Sequence, residues 1–310
     1  MFKKLSTYIL IIMLSFAASA SEDSISQFTY GYLKRVNDFL SEGDYENAEK
    51  ELSIISKRYF LNEQSYERSL INQLWGNLYA TIGDYQKAID SYEASLRFRK
   101  IPLITNLQVR ANLAQCYFQT KDFDKVIETL LTYKNIAEQR GQEFSPQNMI
   151  LLGIAYYYLE NFEEAYNYIS LANDNSLKYK EDWLKYELAL AVKLNKINDA
   201  IDVGQILVYI NPDKKEYWKQ VSGLYYTQAK DSESLAGLEL AFDNQLLEEN
   251  KEYQDLARYY LYKGLPQKAV KVLIDGLNKQ KLDENKENLE LIADSFFIAR
   301  DRKNGIFYLD

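Results

Sequence analysis

The chain has 310 residues, 47% hydrophobic and 14% aromatic, with 37 basic against 45 acidic side chains, a formal charge of -8 and no histidine. Lack of histidine excludes Ser-His-Asp and Cys-His nucleophile systems, His-containing zinc sites and the usual general base near neutral pH. The acidic balance disfavours nucleic acid and anionic lipid as partners, and a single cysteine, Cys116, rules out an intramolecular disulfide.

The first predicted element is a secretory signal. Lys3 and Lys4 form its charged start, residues 8–14 are an unbroken apolar run, and Ala18-Ser19-Ala20 presents small residues for cleavage. An uncleaved anchor is the competing reading, but the run is shorter than the roughly 20 residues a spanning helix needs. Ser21 stands where a lipid-anchored protein would carry cysteine. The expected product is therefore a periplasmic protein beginning at Ser21, with no membrane insertion of the mature chain. Loss of two lysines and no acids on cleavage takes the formal charge from -8 to -10.

Beyond the signal, one supersecondary unit recurs. Gly43-Asp44-Tyr45-Glu46-Asn47-Ala48 returns as Gly83-Asp84-Tyr85-Gln86-Lys87-Ala88, then more weakly as Lys121-Asp122-Phe123-Asp124-Lys125-Val126 and Glu160-Asn161-Phe162-Glu163-Glu164-Ala165. Eight helix A, turn, helix B units fit, near residues 29–62, 69–102, 107–140, 146–179, 181–214, 215–248, 250–283 and 286–310. Both the period and the turn spelling resemble the tetratricopeptide repeat rather than ankyrin or HEAT repeats. The resemblance implies an all-α, right-handed superhelical solenoid of about eight repeats, the last incomplete. With no linker rich in glycine, serine or proline, residues 21–310 are expected to form one solenoid.

Residue size follows the repeat. The eighth position is mostly small (Gly76, Ala114, Gly153, Ser222, Ala257, Ala293), as is the twentieth (Ala48, Ala88, Ala165, Ala200, Ala269, Gly305). The eleventh is aromatic in seven units: Phe39, Tyr79, Tyr117, Tyr156, Tyr225, Tyr260 and Phe296. Large rings against small residues predict close helix approach. Gly43, Gly83 and Gly264 suit left-handed helix ends, Asp44, Asp84, Asp122 and Asn161 suit N-caps, and Pro146 and Pro266 suit first helical turns.

In this repeat type the concave groove is lined by helix A at its second, fifth, ninth, twelfth and thirteenth positions. The first three units contribute amides there: Asn37, Gln73, Asn77, Gln108, Gln115 and Gln119. Later units contribute Tyr157, Tyr158, Lys185, Lys193, Lys219, Tyr226, Gln254, Arg258 and Tyr262. Such a set predicts a protein-binding groove that takes an extended or helical segment bearing acidic groups. Against it stands the plainer reading that lysines are common surface residues and the aromatic positions are partly core.

Other motifs carry less. Glu163-Glu164, Glu248-Glu249 and Asp283-Glu284 are neighbours in sequence, not carboxylates converging across a cleft. Asn173-Asp174-Asn175 lacks the glycine and closing glutamate of a calcium loop. Cys116 adjoins the core aromatic Tyr117 and reads as a packing residue. No phosphate-cradling glycine loop occurs. Hence no catalytic, cofactor or metal residue is expected, and no small-molecule substrate.

The segments Tyr217-Trp218-Lys219-Gln220-Val221, Leu256-Ala257-Arg258-Tyr259-Tyr260-Leu261, Gly264-Leu265-Pro266-Gln267-Lys268-Ala269 and Asn288-Leu289-Glu290-Leu291-Ile292-Ala293 resemble the repeat proteins found with proteobacterial TonB systems. Those proteins are described as components of TonB-dependent energy transduction, alongside ExbB and ExbD. The resemblance covers roughly the last hundred residues and implies a partner in that machinery. It also implies further repeats and an end cap, whereas this sequence stops at Asp310, inside the eighth unit. An uncovered stripe at 306–309 is accordingly expected to fray or dimerise. Two other readings stand beside it: a general envelope-assembly adaptor for outer membrane, cell wall or pilus, or the helical arm of an enzyme whose catalytic domain lies beyond Asp310.

Overall fold

A computed structural model describes residues 25–58, 66–97 and 101–309; the predicted signal lies outside the described residues. Within them every regular element is a helix. Sixteen helices follow one another in pairs: α1 (Gln27–Glu42) and α2 (Tyr45–Arg58), α3 (Tyr66–Thr81) and α4 (Tyr85–Leu96), α5 (Leu103–Gln119) and α6 (Phe123–Gln139), α7 (Pro146–Tyr158) and α8 (Phe162–Asp174). Then come α9 (Glu181–Lys193) and α10 (Ile197–Ile210), α11 (Lys215–Thr227) and α12 (Asp231–Asp243), α13 (Asn250–Tyr262) and α14 (Pro266–Asn278), α15 (Lys286–Ile298) and α16 (Arg302–Phe307). These are the all-α helix pairs, about eight of them, that the repeat predicts. No helix of the described residues is long and apolar enough to cross a membrane.

The same turn recurs inside every pair. One residue takes a left-handed conformation: Gly43, Gly83, Lys121, Glu160, Asn195, Ala229, Gly264 or Arg300. The next residue's N–H then donates back to the carbonyl of the eleventh position, as in Asp44 to Phe39, Asp84 to Tyr79, Asp122 to Tyr117 and Asp301 to Phe296. This is the bond that closes a Schellman motif and satisfies an orphan helix-end carbonyl. The side chain after the left-handed residue caps helix B: Asp84 accepts from the Lys87 N–H at 3.3 Å, Asp122 from Lys125 at 3.2 Å and Asn161 from Glu164 at 3.3 Å. Pro146 and Pro266 begin α7 and α14, where a missing N–H costs nothing.

The chain divides into two compact units, Met1–Asn175 and Ser176–Asp310. In the first, α1 to α8 pack through their small positions: Val36, Ala48, Ala88, Ala114, Val126 and Ala165 are fully buried. Gly76 shows why bulk is excluded, since a Cβ there would stand 2.5 Å from Cδ1 of Tyr92. In the second unit Ala200, Ala257, Ala269 and Ala293 are fully buried in the same way. Leu256, Tyr260, Val272, Leu273 and Ile292 complete its core. At the end of that unit α16 makes one short helix whose Tyr308 neighbour stacks on Phe296 at 5.7 Å, while Ile306, Phe307 and Leu309 are exposed.

Candidate functional site on the helix A faces

The amides expected to line the first unit divide by depth. Gln73 and Asn77, one turn apart on α3, are both buried. Asn77 Oδ1 accepts the Tyr92 hydroxyl at 2.8 Å and lies 3.5 Å from Nδ2 of Asn112, so Asn77 ties helix B to helix A. Gln73 Nε2 is buried without a hydrogen-bond partner, a desolvated donor that leaves an unmet demand for an acceptor. Asn37, Gln108 and Gln115 are half-buried and Gln119 is exposed. Tyr157 and Tyr158 belong to a ring cluster at the end of α7, where Tyr158 stacks on Phe123 at 4.5 Å and Tyr157 meets Phe162 edge-on at 5.6 Å.

In the second unit the structure brings together groups that sequence reasoning treated singly. Lys219 Nζ lies 2.9 Å from Glu252 Oε1, linking α11 to α13, and Arg258 Nη2 lies 2.9 Å from Glu287 Oε1, linking α13 to α15. Gln254 donates to Asn288 Oδ1 at 2.6 Å between buried side chains. At the start of α11, Lys214 and Tyr217 both bond Glu181 of α9. A polar ladder thus joins successive A helices. Two of the cations expected to receive a ligand's carboxylate already hold one from the neighbouring helix. Lys185 pairs with Asp182 at 3.5 Å on its own helix, and Lys193 is exposed at the end of α9.

Glu252 anchors that ladder. Burial would raise its carboxyl, but the N–H groups of Glu248 and Glu249 and the Lys219 ammonium outweigh this and hold it down at about 2. The backbone bonds are 2.9 Å from Glu248 and 3.1 Å from Glu249, the second belonging to a capping box at the start of α13. Glu181 is likewise held below the usual carboxylate range, first by Lys214 and then by Tyr217. Burial and Glu181 together push the Tyr217 hydroxyl upward.

Beside these charged groups, each of the four helices exposes an apolar side chain near its end. Val192, Tyr226, Tyr262 and Ile298 stand at the C-terminal ends of α9, α11, α13 and α15, one on each A helix of this unit, and all are exposed. Tyr226 and Tyr262 are the most open, at 64% and 75%. Tyr262 is steadied by stacking on Tyr259 at 6.4 Å, with Lys263 Nζ 5.2 Å from its ring centre. Val192 and Ile298 were legible from the same twelfth and thirteenth positions that yielded the tyrosines. An aliphatic side chain at these positions carries no charge or ring that distinguishes it from a core residue. Glu252, Glu287 and Asn288 had no local signal.

Residues 71–100 match the family model for the tetratricopeptide repeat. Among solved structures, the apo form of RapI is similar over 91% of this chain and 94% of its own, at 12% identity and a TM-score of 0.52. A tetratricopeptide repeat protein from Parabacteroides merdae is similar over 87% of this chain and 100% of its own, at 16% identity and a TM-score of 0.48. YrrB, described as a TPR protein with an unusual peptide-binding site, is similar over 61% of this chain and 91% of its own, at 13% identity and a TM-score of 0.48. No curated protein matches the sequence. The family match and the RapI likeness agree with the helix-pair architecture and speak to fold.

Proposed function

We propose that this chain is a non-enzymatic protein-binding scaffold whose second unit holds a partner segment against Val192, Tyr226, Tyr262 and Ile298. The observation that carries this is the recurrence of one exposed large apolar side chain at the same end of each A helix of the second unit, two of which, α11 and α13, carry cations paired with Glu252 and Glu287. Rigid tyrosine faces bury much area at small entropic cost, and the paired charges leave apolar contact as the main source of affinity. The setting proposed is the periplasm, reached through residues 1–20, with a component of the TonB, ExbB and ExbD machinery as partner. Its support is the resemblance of the segments between Tyr217 and Ala293.

A photocrosslinker placed at Tyr226 in growing cells tests both levels. The proposal expects a discrete adduct containing TonB, ExbB or ExbD, absent when the crosslinker sits at exposed Glu233 on α12. Equal trapping at both positions would remove the binding face. A discrete adduct with outer-membrane or cell-wall proteins would instead move the scaffold to envelope assembly.

A further inference from the structure

The first unit carries a second surface, independent of the face proposed above. Phe118, Phe123, Tyr158, Tyr157 and Phe162 form an unbroken chain of ring contacts at the turn edge of α5 to α8, with centroid separations from 4.5 to 6.1 Å. None of the five is buried, and Tyr158 is 43% exposed. Leu159 beside it is exposed as well.

Closure of the turn does not require a ring at the first position of helix B. Every B helix of the first unit begins with an aromatic residue, Tyr45, Tyr85, Phe123 or Phe162, whereas those of the second begin with Ile197, Asp231, Pro266 and Arg302. All eight turns nevertheless adopt the same left-handed geometry. The second unit is thus an internal control: its turns close without a ring in that place. A contiguous set of partly exposed aromatic side chains at such an edge is a candidate binding surface.

Its charge selects the occupant. Residues 121–128 and 160–164, which flank the rings, contain six carboxylates and two lysines; Lys125 and Glu128 pair at 2.8 Å, which leaves five carboxylates against Lys121. We infer that this edge docks a basic, proline-containing extended segment of another protein. Proline rings pack on aromatic faces, a polyproline II segment arrives already ordered, and guanidinium groups both stack on rings and pair with carboxylates. A second copy of this chain, at a formal charge of -8, is a poor complement to an acidic rim, as is any acidic peptide.

Fluorescence anisotropy of a labelled synthetic proline–arginine repeat peptide with the full chain tests this. The proline–arginine peptide should bind, a proline–glutamate peptide should not, and an alanine–arginine peptide should bind more weakly. Tyr158→Ala should weaken binding by about tenfold, the loss of one well-placed aromatic contact. Because Tyr158 also packs on Phe123, the double variant Asp124→Lys, Glu160→Lys supplies a second arm: both side chains are exposed, so binding should fall while thermal stability holds. Tyr226→Ala, on the other unit, should leave this affinity unchanged, which separates failure here from failure of the scaffold reading. Equal binding of the proline–glutamate or alanine–arginine peptide overturns the inference, as does an unchanged affinity in both first-unit variants.

Discussion

The Tyr92 hydroxyl donates to Asn77 Oδ1 across 2.8 Å, from a ring seated directly beneath Gly76. One contact therefore joins the large-against-small packing of the repeat to the amide once expected to meet a ligand. Gly76→Ala would drive a Cβ into a ring with no free space, and should cost about 1–3 kcal/mol by overpacking. Tyr92→Phe removes the donor from a buried acceptor and should cost about 1 kcal/mol. Urea unfolding of both variants checks these values, and partner capture per folded molecule should not change.

Glu252 should make stability depend on acid. Its carboxyl is held at about 2 in the folded chain, below the ordinary glutamate value of about 4.3. The contribution is then fully present above the unfolded value and is lost as pH falls toward 2. It should be on the order of 2–3 kcal/mol. Glu252→Gln should lower stability at neutral pH and flatten the stability profile between about pH 5 and pH 2. Unfolding free energies measured across that window decide it; parallel wild-type and variant profiles would refute the assignment.

The left-handed turn residues predict opposite effects of glycine and alanine. Ala229 sits at φ 54 and Gly43 at φ 78. Relieving Cβ crowding with Ala229→Gly should stabilise by up to about 1 kcal/mol, whereas Gly43→Ala should destabilise by about 1–2 kcal/mol. Thermal melts of the two variants should shift in opposite directions.

Tyr226→Ala and Tyr262→Ala should separate binding from folding. Both rings are mostly exposed, so stability should move by about 0.5 kcal/mol or less. Loss of the adduct trapped from position 226 in the Tyr262→Ala variant, and loss of partner capture in Tyr226→Ala, each with an unchanged melting temperature, are the expected results. A large drop in melting temperature would assign the rings to the fold instead.

Cys116 should be silent in the native state. It is buried on α5, and burial pushes its thiol up to about 12. A thiol reagent at pH 8 should label it only as the chain opens, at a rate that rises with denaturant. Rapid labelling of the folded protein would contradict its packing role.

Much of the helix-pair order was legible beforehand because its signals are local. Asp84, Asp122 and Asn161 cap the turns where their position implied, and Ala48, Ala88 and Ala165 are buried at the period that named them. Less obvious were Lys121, Glu160, Asn195, Ala229 and Arg300, which take the glycine-like conformation without being glycine. There the Schellman bond and the packing of the two helices override the local preference.

The chain's own residues determined the repeat, its phase and the close approach of its helices, because caps, turn residues and side-chain volume act over a few positions and recur. Tertiary structure decided which of the candidate side chains remain available. Lys219 and Glu252, or Arg258 and Glu287, are about one repeat apart in sequence, and only stacking of the A helices brings each pair to 2.9 Å. Charge neutralisation between distant residues leaves no local trace, and so two of the cations expected to meet a ligand, Lys219 and Arg258, stand paired between A helices while Tyr226 and Tyr262 remain exposed.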